Sequence, residues 1–194
     1  MYCFFWILFW PFIRLLFPVK IVGKENLKKV DKKSAILICN HLSNADPVLI
    51  ASYIRRKISF LAKREIFKNK LAGCFFRSIG IIPIDRENID IKAIKSALTV
   101  LKNDGVLGIF PEGTRNKKDE ELKEIKNGCC MFAIKAKVPV VPIIIQKRAQ
   151  IFRKTKITIG EPFELSEFYG SKLSTEVLNE AGQIVVDKLK VLYD

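Results

Sequence analysis

The pattern of hydrophobic and polar positions alternates between short apolar runs and longer amphipathic stretches. Apolar runs bounded by polar or turn-forming residues are typical of buried strands, and apolar residues at helical spacing are typical of helices that pack on a core. The runs predict strands at residues 35–39, 58–62, 80–86, 106–110, 140–145 and 156–160. The amphipathic stretches between them predict helices at residues 47–56, 88–103, 128–137 and 175–192, and a further helix that begins at residue 63. This alternation predicts an α/β fold in a single domain, with a mixed, mostly parallel central sheet flanked by helices.

Two of the predicted helices have recognisable starts and inner faces. Asp46 and Pro47 are expected to be the N-cap and first residue of helix 47–56, whose next three residues, 48–50, face inward. Asn88 is expected to cap the helix that follows it. The apolar positions of that helix recur at helical spacing, at Ile91, Ile94, Leu98 and Leu101.

The N-terminal stretch, MYCFFWILFWPFIRLLFPV, is crowded with Phe, Trp and Leu and carries one charged side chain, Arg14. A helix across all of it would be about 28 Å long, close to the roughly 30 Å of a bilayer core, but Pro11, Arg14 and Pro18 interrupt it. We predict that residues 1–19 form a membrane-associated apolar segment and that residues 20–194 form the folded domain. The alternative is an N-terminal helix buried against that domain.

The net charge of +14 requires a negatively charged partner, for which nucleic acid, an anionic membrane surface and a phosphorylated substrate are the candidates. No aromatic-interleaved basic pattern or nucleic-acid motif is present, so nucleic acid is not expected. The five cysteines are odd in number and lack metal-ligand spacing. They indicate a reducing, cytosol-facing location with neither a disulfide framework nor a metal site.

The chain has a single histidine, His41, in the loop between predicted strand 35–39 and predicted helix 47–56. Imidazole has an unperturbed pKa of about 6.5, so it can take and return a proton near neutral pH. Asp46 is near enough in sequence to hydrogen-bond one ring nitrogen and leave the other to act as a base. The alternative is that Asp46 only caps its helix and His41 is an ordinary loop residue.

Charged residues also follow two later predicted strands. Arg86 and Arg115 lie where an open α/β sheet places its ligand site, and two guanidinium groups suit a phosphate. With 34 Lys and Arg in the chain, ordinary surface charges are the alternative. Glu112 precedes Gly113, which permits a tight turn. The Glu112 carboxylate is placed either to accept a hydrogen bond from a substrate hydroxyl or to pair with Arg115.

Four blocks of this sequence resemble, in order and spacing, the four blocks of the glycerolipid acyltransferases. They are Asn40-His41 with Asp46-Pro47, then residues 80–86, residues 110–115 and residues 138–142. The likeness spans residues 18–145 and is greatest to members that convert lysophosphatidate to phosphatidate. It implies transfer of an acyl group from an acyl thioester, on acyl carrier protein or coenzyme A, to the sn-2 hydroxyl of 1-acyl-sn-glycerol-3-phosphate. It implies no cofactor, and a place on an anionic phospholipid membrane, at the cytoplasmic face of the cell membrane.

The resemblance also implies a role for each matching residue. His41 is the general base and Asp46 orients it, while Arg86 holds the acceptor phosphate with help from Lys63. The proline-bearing fourth block, at Pro142, shapes the pocket, and the apolar residues 71–76 are a candidate wall for the acyl chain. The third block lines the acceptor site through Glu112, Gly113, Thr114 and Arg115.

Three alternatives remain open on the sequence alone. Cys39 lies two residues before His41, and a Cys-His pair would imply a covalent acyl-enzyme. The acceptor could be another lysolipid, or water in a hydrolase. A non-catalytic basic membrane-binding or nucleic-acid-binding protein would explain the charge but not the combination of His41, Glu112 and Arg115.

Overall fold

The computed structural model describes residues 11–54, 56–85, 88–116 and 125–193. The strands are β1 Val19–Val22, β2 Ala35–Cys39, β3 Ile58–Lys63, β4 Ile82–Ile84, β5 Val106–Ile109, β6 Val140–Ile145 and β7 Thr155–Ile159. The α-helices are α1 Asp46–Tyr53, α2 Lys70–Ser78, α3 Ile91–Lys102, α4 Gly128–Ala136 and α5 Thr175–Lys190. Short 3-10 helices cover Lys24–Val30, Arg64–Phe67 and Ser166–Phe168.

The strands form one seven-stranded sheet in the order β1-β7-β6-β2-β5-β3-β4. Every neighbouring pair is parallel except β6 and β7, which are antiparallel because a hairpin at residues 146–154 joins them. The prediction of a mixed, mostly parallel sheet is therefore confirmed. The carboxyl ends of β2, β3, β4, β5 and β6 lie at the same edge of the sheet, which is where such folds place their ligands.

Hydrophobic cores cover both faces of the sheet, and the side chains of β2 divide between them. Ile36 and Ile38 belong to the core that α3, α4 and α5 cover. Leu37 and Cys39 belong to the opposite core, beneath α1 and the 3-10 helix Lys24–Val30. Because successive strand residues point to opposite faces, a central strand buried on both sides is a continuous apolar run, and all five residues of β2 are buried.

The start of the chain differs from its prediction, because a strand that was not expected begins at Val19. Residues 1–10 of the predicted membrane segment lie outside the described residues, and residues 11–16 are helical. The Arg14 guanidinium lies 4.4 Å from the centre of the Tyr53 ring, whose hydroxyl donates to the Phe17 carbonyl at 3.0 Å. Among the described helices, none has the length and apolar character needed to cross a bilayer.

Two predicted helix starts are wrong. Helix α1 has Ala45 as its N-cap residue, and the Asp46 side chain makes no capping bond because it turns back toward the preceding loop. Helix α3 is capped by Asp90, whose carboxylate accepts from the Ala93 N–H at 3.0 Å, so Asn88 is not its cap.

The inner faces of these two helices match expectation in part. In α1 residues 49 and 50 are buried as predicted, but Val48 is 51% exposed. In α3 Leu101 is buried and residues 94 and 98 pack against the core as predicted, but Ile91 is 61% exposed. Helix α3 also buries Ala93 and Ala97, whose small side chains allow it to approach the sheet closely. The helix expected from residue 63 is a 3-10 turn, and α2 begins only at Lys70 after an Asn69 cap.

Candidate active site

The loop after β2 holds His41 at the carboxyl edge of the sheet, with Asp46 directly behind it. The His41 Nδ1 atom lies 2.9 Å from Asp46 Oδ2. The Asp46 side chain is fully buried, and the His41 side chain is 13% exposed. The hydrogen bond expected from the sequence is therefore present, and only the imidazole reaches solvent.

The hydrogen bonds around Asp46 decide which ring nitrogen of His41 carries the proton. Asp46 Oδ2 also accepts from the backbone N–H groups of Leu42 and Ser43, at 2.7 Å each, and Oδ1 accepts from the Ser43 hydroxyl at 3.0 Å. An oxygen that already accepts two N–H bonds has no hydrogen to donate, so His41 Nδ1 must donate to it. In the neutral ring the lone pair is then on Nε2, which makes Nε2 the basic atom.

Both backbone groups of His41 are held by the loop that follows β5. The His41 N–H donates to Glu112 Oε1 at 2.9 Å, and the Asn116 N–H donates to the His41 carbonyl at 2.6 Å. Glu112 and Asn116 are 4% and 2% exposed. The sequence offered a substrate hydroxyl or Arg115 as the partner of Glu112. The structure shows a further contact, since the Glu112 carboxylate holds the backbone of His41.

An aromatic stack supports the His41 ring from one side. The ring lies on Phe110, with centroids 4.2 Å apart, and Phe110 in turn stacks on Phe60 at 5.7 Å. Gly108 makes room for this stack, since a Cβ there would lie 2.3 Å from Phe60 Cε1. The sequence did not predict this role of Phe110, because a phenylalanine at the end of an apolar run gives no sign of a stacking partner.

Asn40, immediately before His41, ties β2 to β6. Its Nδ2 donates to the Ile145 carbonyl at 2.9 Å, and its Oδ1 accepts from the Ile145 N–H at 2.8 Å. The side chain is 1% exposed. This reciprocal pair closes the gap between two strand ends, and the only sequence signal for it is a polar residue next to the histidine.

We expect Asn40→Ala to lower the free energy of unfolding by about 2–4 kcal/mol, because the N–H and the carbonyl of Ile145 lose their buried partners. Urea unfolding followed by circular dichroism measures the change. Asn44→Ala is the matched control, since Asn44 is exposed in the same loop and should change stability by less than about 0.5 kcal/mol. Equal effects of the two substitutions would contradict this role for Asn40.

The remaining predicted site residues that the structure describes lie along the same edge of the sheet. Lys63 ends β3 opposite Ile84 of β4, and its exposed Nζ lies 3.0 Å from Glu65 Oε1. Gly113 has a left-handed φ of 67°, which glycine adopts readily, and the two residues after it, Thr114 and Arg115, are exposed. Arg86 lies outside the described residues, two positions after the end of β4.

The other two sequence candidates lie away from the His41 loop. Pro142 is inside β6 opposite Ile38, where its ring packs against Gly160. The apolar stretch 71–76 lies in α2 and is exposed in part, with Leu71 84% and Phe75 40% accessible. The structure thus brings Asp46 and Glu112 into contact with His41, and Lys63, Thr114 and Arg115 lie farther along the same edge of the sheet.

Cys39 is a poor candidate for a nucleophile. Its side chain is 2% exposed, and its Sγ lies 3.5 Å from Asn40 Oδ1. Burial raises the pKa of the Cys39 thiol well above its usual range, and the negative charges of Asp46 and Glu112 raise it further. Because the thiolate is the reactive form, this thiol is not activated at neutral pH.

Comparison with known proteins supports the sequence resemblance. The acyltransferase family model matches residues 18–146. A 1-acyl-sn-glycerol-3-phosphate acyltransferase of Bacillus subtilis is 33% identical over 186 residues, which cover 90% of this chain and 91% of that protein. A 1-acyl-sn-glycerol-3-phosphate acyltransferase of Streptococcus pneumoniae is 31% identical over 175 residues, which cover 64% of its length.

The fold has a counterpart among solved structures. The 1-acyl-sn-glycerophosphate acyltransferase of Thermotoga maritima superposes with a TM-score of 0.66 at 24% identity, covering 90% of this chain and 72% of that one. At this identity the likeness concerns the fold. The family model and the relatives together show that this chain belongs to the acyltransferase family.

Proposed function

We propose that this chain is a 1-acyl-sn-glycerol-3-phosphate acyltransferase, which moves a fatty acyl group from an acyl thioester to the sn-2 hydroxyl of lysophosphatidate and forms phosphatidate. The names of the Bacillus and Streptococcus relatives support this acceptor. The observation that carries the proposal is the His41–Asp46 pair, whose hydrogen bond leaves a basic Nε2 on a partly exposed ring.

In the proposed reaction, His41 Nε2 removes the proton from the sn-2 hydroxyl as the hydroxyl oxygen attacks the thioester carbonyl carbon. An alcohol is a poor nucleophile until a base takes its proton, which is why the reaction needs a positioned imidazole. The ring becomes an imidazolium, which the buried Asp46 carboxylate stabilises through the 2.9 Å contact to Nδ1. The tetrahedral intermediate then collapses with cleavage of the C–S bond, and the Nε2 proton passes to the leaving thiolate.

Cationic side chains would bind the phosphate of the acceptor. We assign this role to Arg86, with Arg115 and Lys63 beside it, because guanidinium groups bind phosphate in a bidentate manner. Arg115 and Lys63 are exposed at the edge that holds His41, which supports their assignment. Gly113 and Thr114 would line the acceptor site with them, and the acyl donor would be either acyl carrier protein or coenzyme A.

Because the acceptor is a lipid, we place the enzyme at the cytoplasmic face of the cell membrane. Residues 1–19 would hold it there as the apolar segment, and the excess of Lys and Arg would attract anionic phospholipid headgroups. Extraction of cell membranes at high salt without detergent tests this placement. We expect the protein to stay with the membrane, whereas full release into the soluble fraction would rule out the hydrophobic anchor.

Direct transfer from thioester to acceptor predicts that Cys39→Ala keeps most of its activity. The thiol is buried and protonated, so its loss should change kcat by less than about threefold while removing part of a packed core. The measurement is the steady-state rate with lysophosphatidate, beside a thermal unfolding curve. A folded Cys39→Ala variant without acyl transfer would instead support a covalent acyl-enzyme.

The acceptor is tested by comparing lysophosphatidate with its dephosphorylated analogue, monoacylglycerol, at matched concentrations in liposomes. We expect phosphatidate from the first and a loss of kcat/KM of at least about a hundredfold with the second, since the bound phosphate forms several charge-assisted hydrogen bonds. Equal turnover of the two acceptors would contradict lysophosphatidate as the substrate and favour another lysolipid.

A further inference from the structure

The hairpin between β6 and β7 presents two apolar side chains to solvent at its tip. Ile151 and Phe152 form the two central residues of the turn, which Gln150 and Arg153 close through a 3.1 Å backbone hydrogen bond. Ile151 is 58% exposed and Phe152 is 70% exposed. Two adjacent large apolar residues at the tip of a hairpin contribute little to folding, and an exposed apolar patch of this kind marks an interaction site.

The backbone conformation at Phe152 is unfavourable for phenylalanine, so the folding of this chain does not explain why an aromatic residue occupies the position. Phe152 has a φ of 59°, in the left-handed region that glycine and asparagine prefer and bulky residues avoid. A phenylalanine therefore weakens the turn and leaves its ring in water as well. Both disadvantages are offset if the ring is buried outside this chain.

The charges beside the tip identify an anionic, rather than a neutral, apolar partner. Lys147 and Arg153 are exposed on the two arms of the hairpin, and Lys154 is exposed next to Arg153. The described residues of the hairpin, 146–154, include no Asp or Glu. Apolar side chains that project beyond a ring of cations fit a bilayer, where the rings enter the acyl boundary and the cations meet lipid phosphates.

The tip is continuous with another exposed apolar segment of the chain. The Phe152 N–H donates to the Leu16 carbonyl at 2.7 Å, which ties the hairpin to the helical residues 11–16. In that segment Phe12 is 57% exposed and Leu15 is 68% exposed. Two segments distant in sequence thus place four large apolar side chains in one region.

The hairpin also begins at the edge of the sheet that holds His41. It leaves β6 after Ile145, the residue that Asn40 binds. Within the hairpin, the Arg148 Nη2 donates to the Asn116 carbonyl at 3.4 Å, and the Asn116 N–H donates to the His41 carbonyl. A bilayer against the hairpin would therefore lie beside the catalytic loop.

We infer that Ile151 and Phe152 insert into the surface of an anionic phospholipid bilayer and form a membrane contact in addition to the proposed N-terminal segment, residues 1–19. The contact deepens the proposed function, on which it rests for a lipid acceptor, because it would turn the His41 edge toward the leaflet that contains the acceptor. Membrane binding is measured without an acyl donor, so its outcome is independent of whether lysophosphatidate is the acceptor.

The first test is partitioning of the full chain onto vesicles of phosphatidylcholine and phosphatidylglycerol. We expect Phe152→Asn to weaken partitioning by about three- to tenfold, because one buried ring is lost, while thermal stability stays equal or rises, because asparagine tolerates the left-handed turn. Lys32→Asn is the matched control. Lys32 is exposed with the same φ of 59°, in the turn before β2 at the opposite edge of the sheet.

The two substitutions separate insertion from simple charge attraction. Phe152→Asn leaves the net charge at +14, whereas Lys32→Asn removes one positive charge. If the bilayer attracts the chain through net charge alone, Lys32→Asn weakens binding and Phe152→Asn does not, and that result would overturn the inference. If the Phe152→Asn variant partitions as the wild type does but has a raised KM for an acidic acyl carrier protein, the tip is a protein-docking surface and the inference is overturned.

The second test detects insertion of the tip even if the N-terminal segment, residues 1–19, contributes most of the affinity for the membrane. In a chain with Trp6→Phe and Trp10→Phe, the substitution Phe152→Trp makes position 152 the only source of tryptophan fluorescence. We expect vesicles with brominated acyl chains to quench this fluorescence, and to leave that of Lys32→Trp in the same background unchanged. Equal fluorescence of the position-152 variant with and without bromine would exclude contact of the tip with the acyl region.

Discussion

Replacement of His41 by alanine is expected to lower the rate of acyl transfer to lysophosphatidate by about a hundred- to ten-thousandfold, the contribution of one positioned general base. His41 is the only histidine in the chain, so no second imidazole can take its place. Its ring stacks on Phe110 and donates to Asp46, which keeps its bonds from the Leu42 and Ser43 N–H groups when the ring is removed. The loss should therefore appear in kcat, with the KM for the acyl donor nearly unchanged.

The control for this experiment is Asn44→Ala in the same loop, an exposed position that should keep full activity. Circular dichroism and thermal unfolding show whether each variant folds. A folded His41→Ala protein that retains more than about a tenth of the wild-type rate would place the base elsewhere.

Replacement of Asp46 by asparagine is expected to keep the loop folded and still lower kcat/KM by about ten- to a thousandfold. The two backbone N–H groups of Leu42 and Ser43 require an acceptor at the Oδ2 position, so the amide oxygen should take that place and still accept from His41 Nδ1. The amide NH₂ would then face the Ser43 hydroxyl, which can accept. What is lost is the negative charge, which stabilises the imidazolium that forms during the reaction.

This prediction separates the charge of Asp46 from its role in orienting the ring. With ¹⁵N-labelled histidine, the protein with a neutral ring should give one pair of imidazole signals, with Nδ1 protonated and Nε2 unprotonated. We expect the same tautomer in Asp46→Asn. Full activity in that variant would show that the charge is not used, and a switched tautomer would contradict the hydrogen-bond assignment. Asp46→Ala should instead destabilise the loop, because the two N–H groups lose their buried acceptor.

Local sequence patterns predicted the central part of the fold and failed at its margin. Strands β2 and β6 match their predicted bounds, because continuous apolar runs with polar ends leave little choice of structure. Strand β1 was missed because its four residues follow an apolar segment, and its pairing with β7 joins positions far apart in sequence. The start of α3 was misplaced because Asn88 and Asp90 are both good caps, and only the tertiary contacts favour Asp90.

The same distinction applies to the candidate site. The His41–Asp46 contact lies within one loop, so spacing alone indicated it. The bond from the His41 N–H to Glu112 spans 71 residues and uses a backbone donor, which carries no sequence signal. The stack of His41 on Phe110 is likewise a tertiary contact between the ends of two neighbouring strands.

Direct acyl transfer to lysophosphatidate is tested by following a labelled acyl group from the thioester to its product. Purified wild-type protein is mixed with labelled acyl thioester, with and without lysophosphatidate, and the label is located in lipid, protein, fatty acid and unreacted thioester. We expect label at the sn-2 position of phosphatidate when the acceptor is present, and only unreacted thioester when it is absent. Label bound to the protein without acceptor, or released as fatty acid with no phosphatidate formed, would rule out direct transfer to lysophosphatidate.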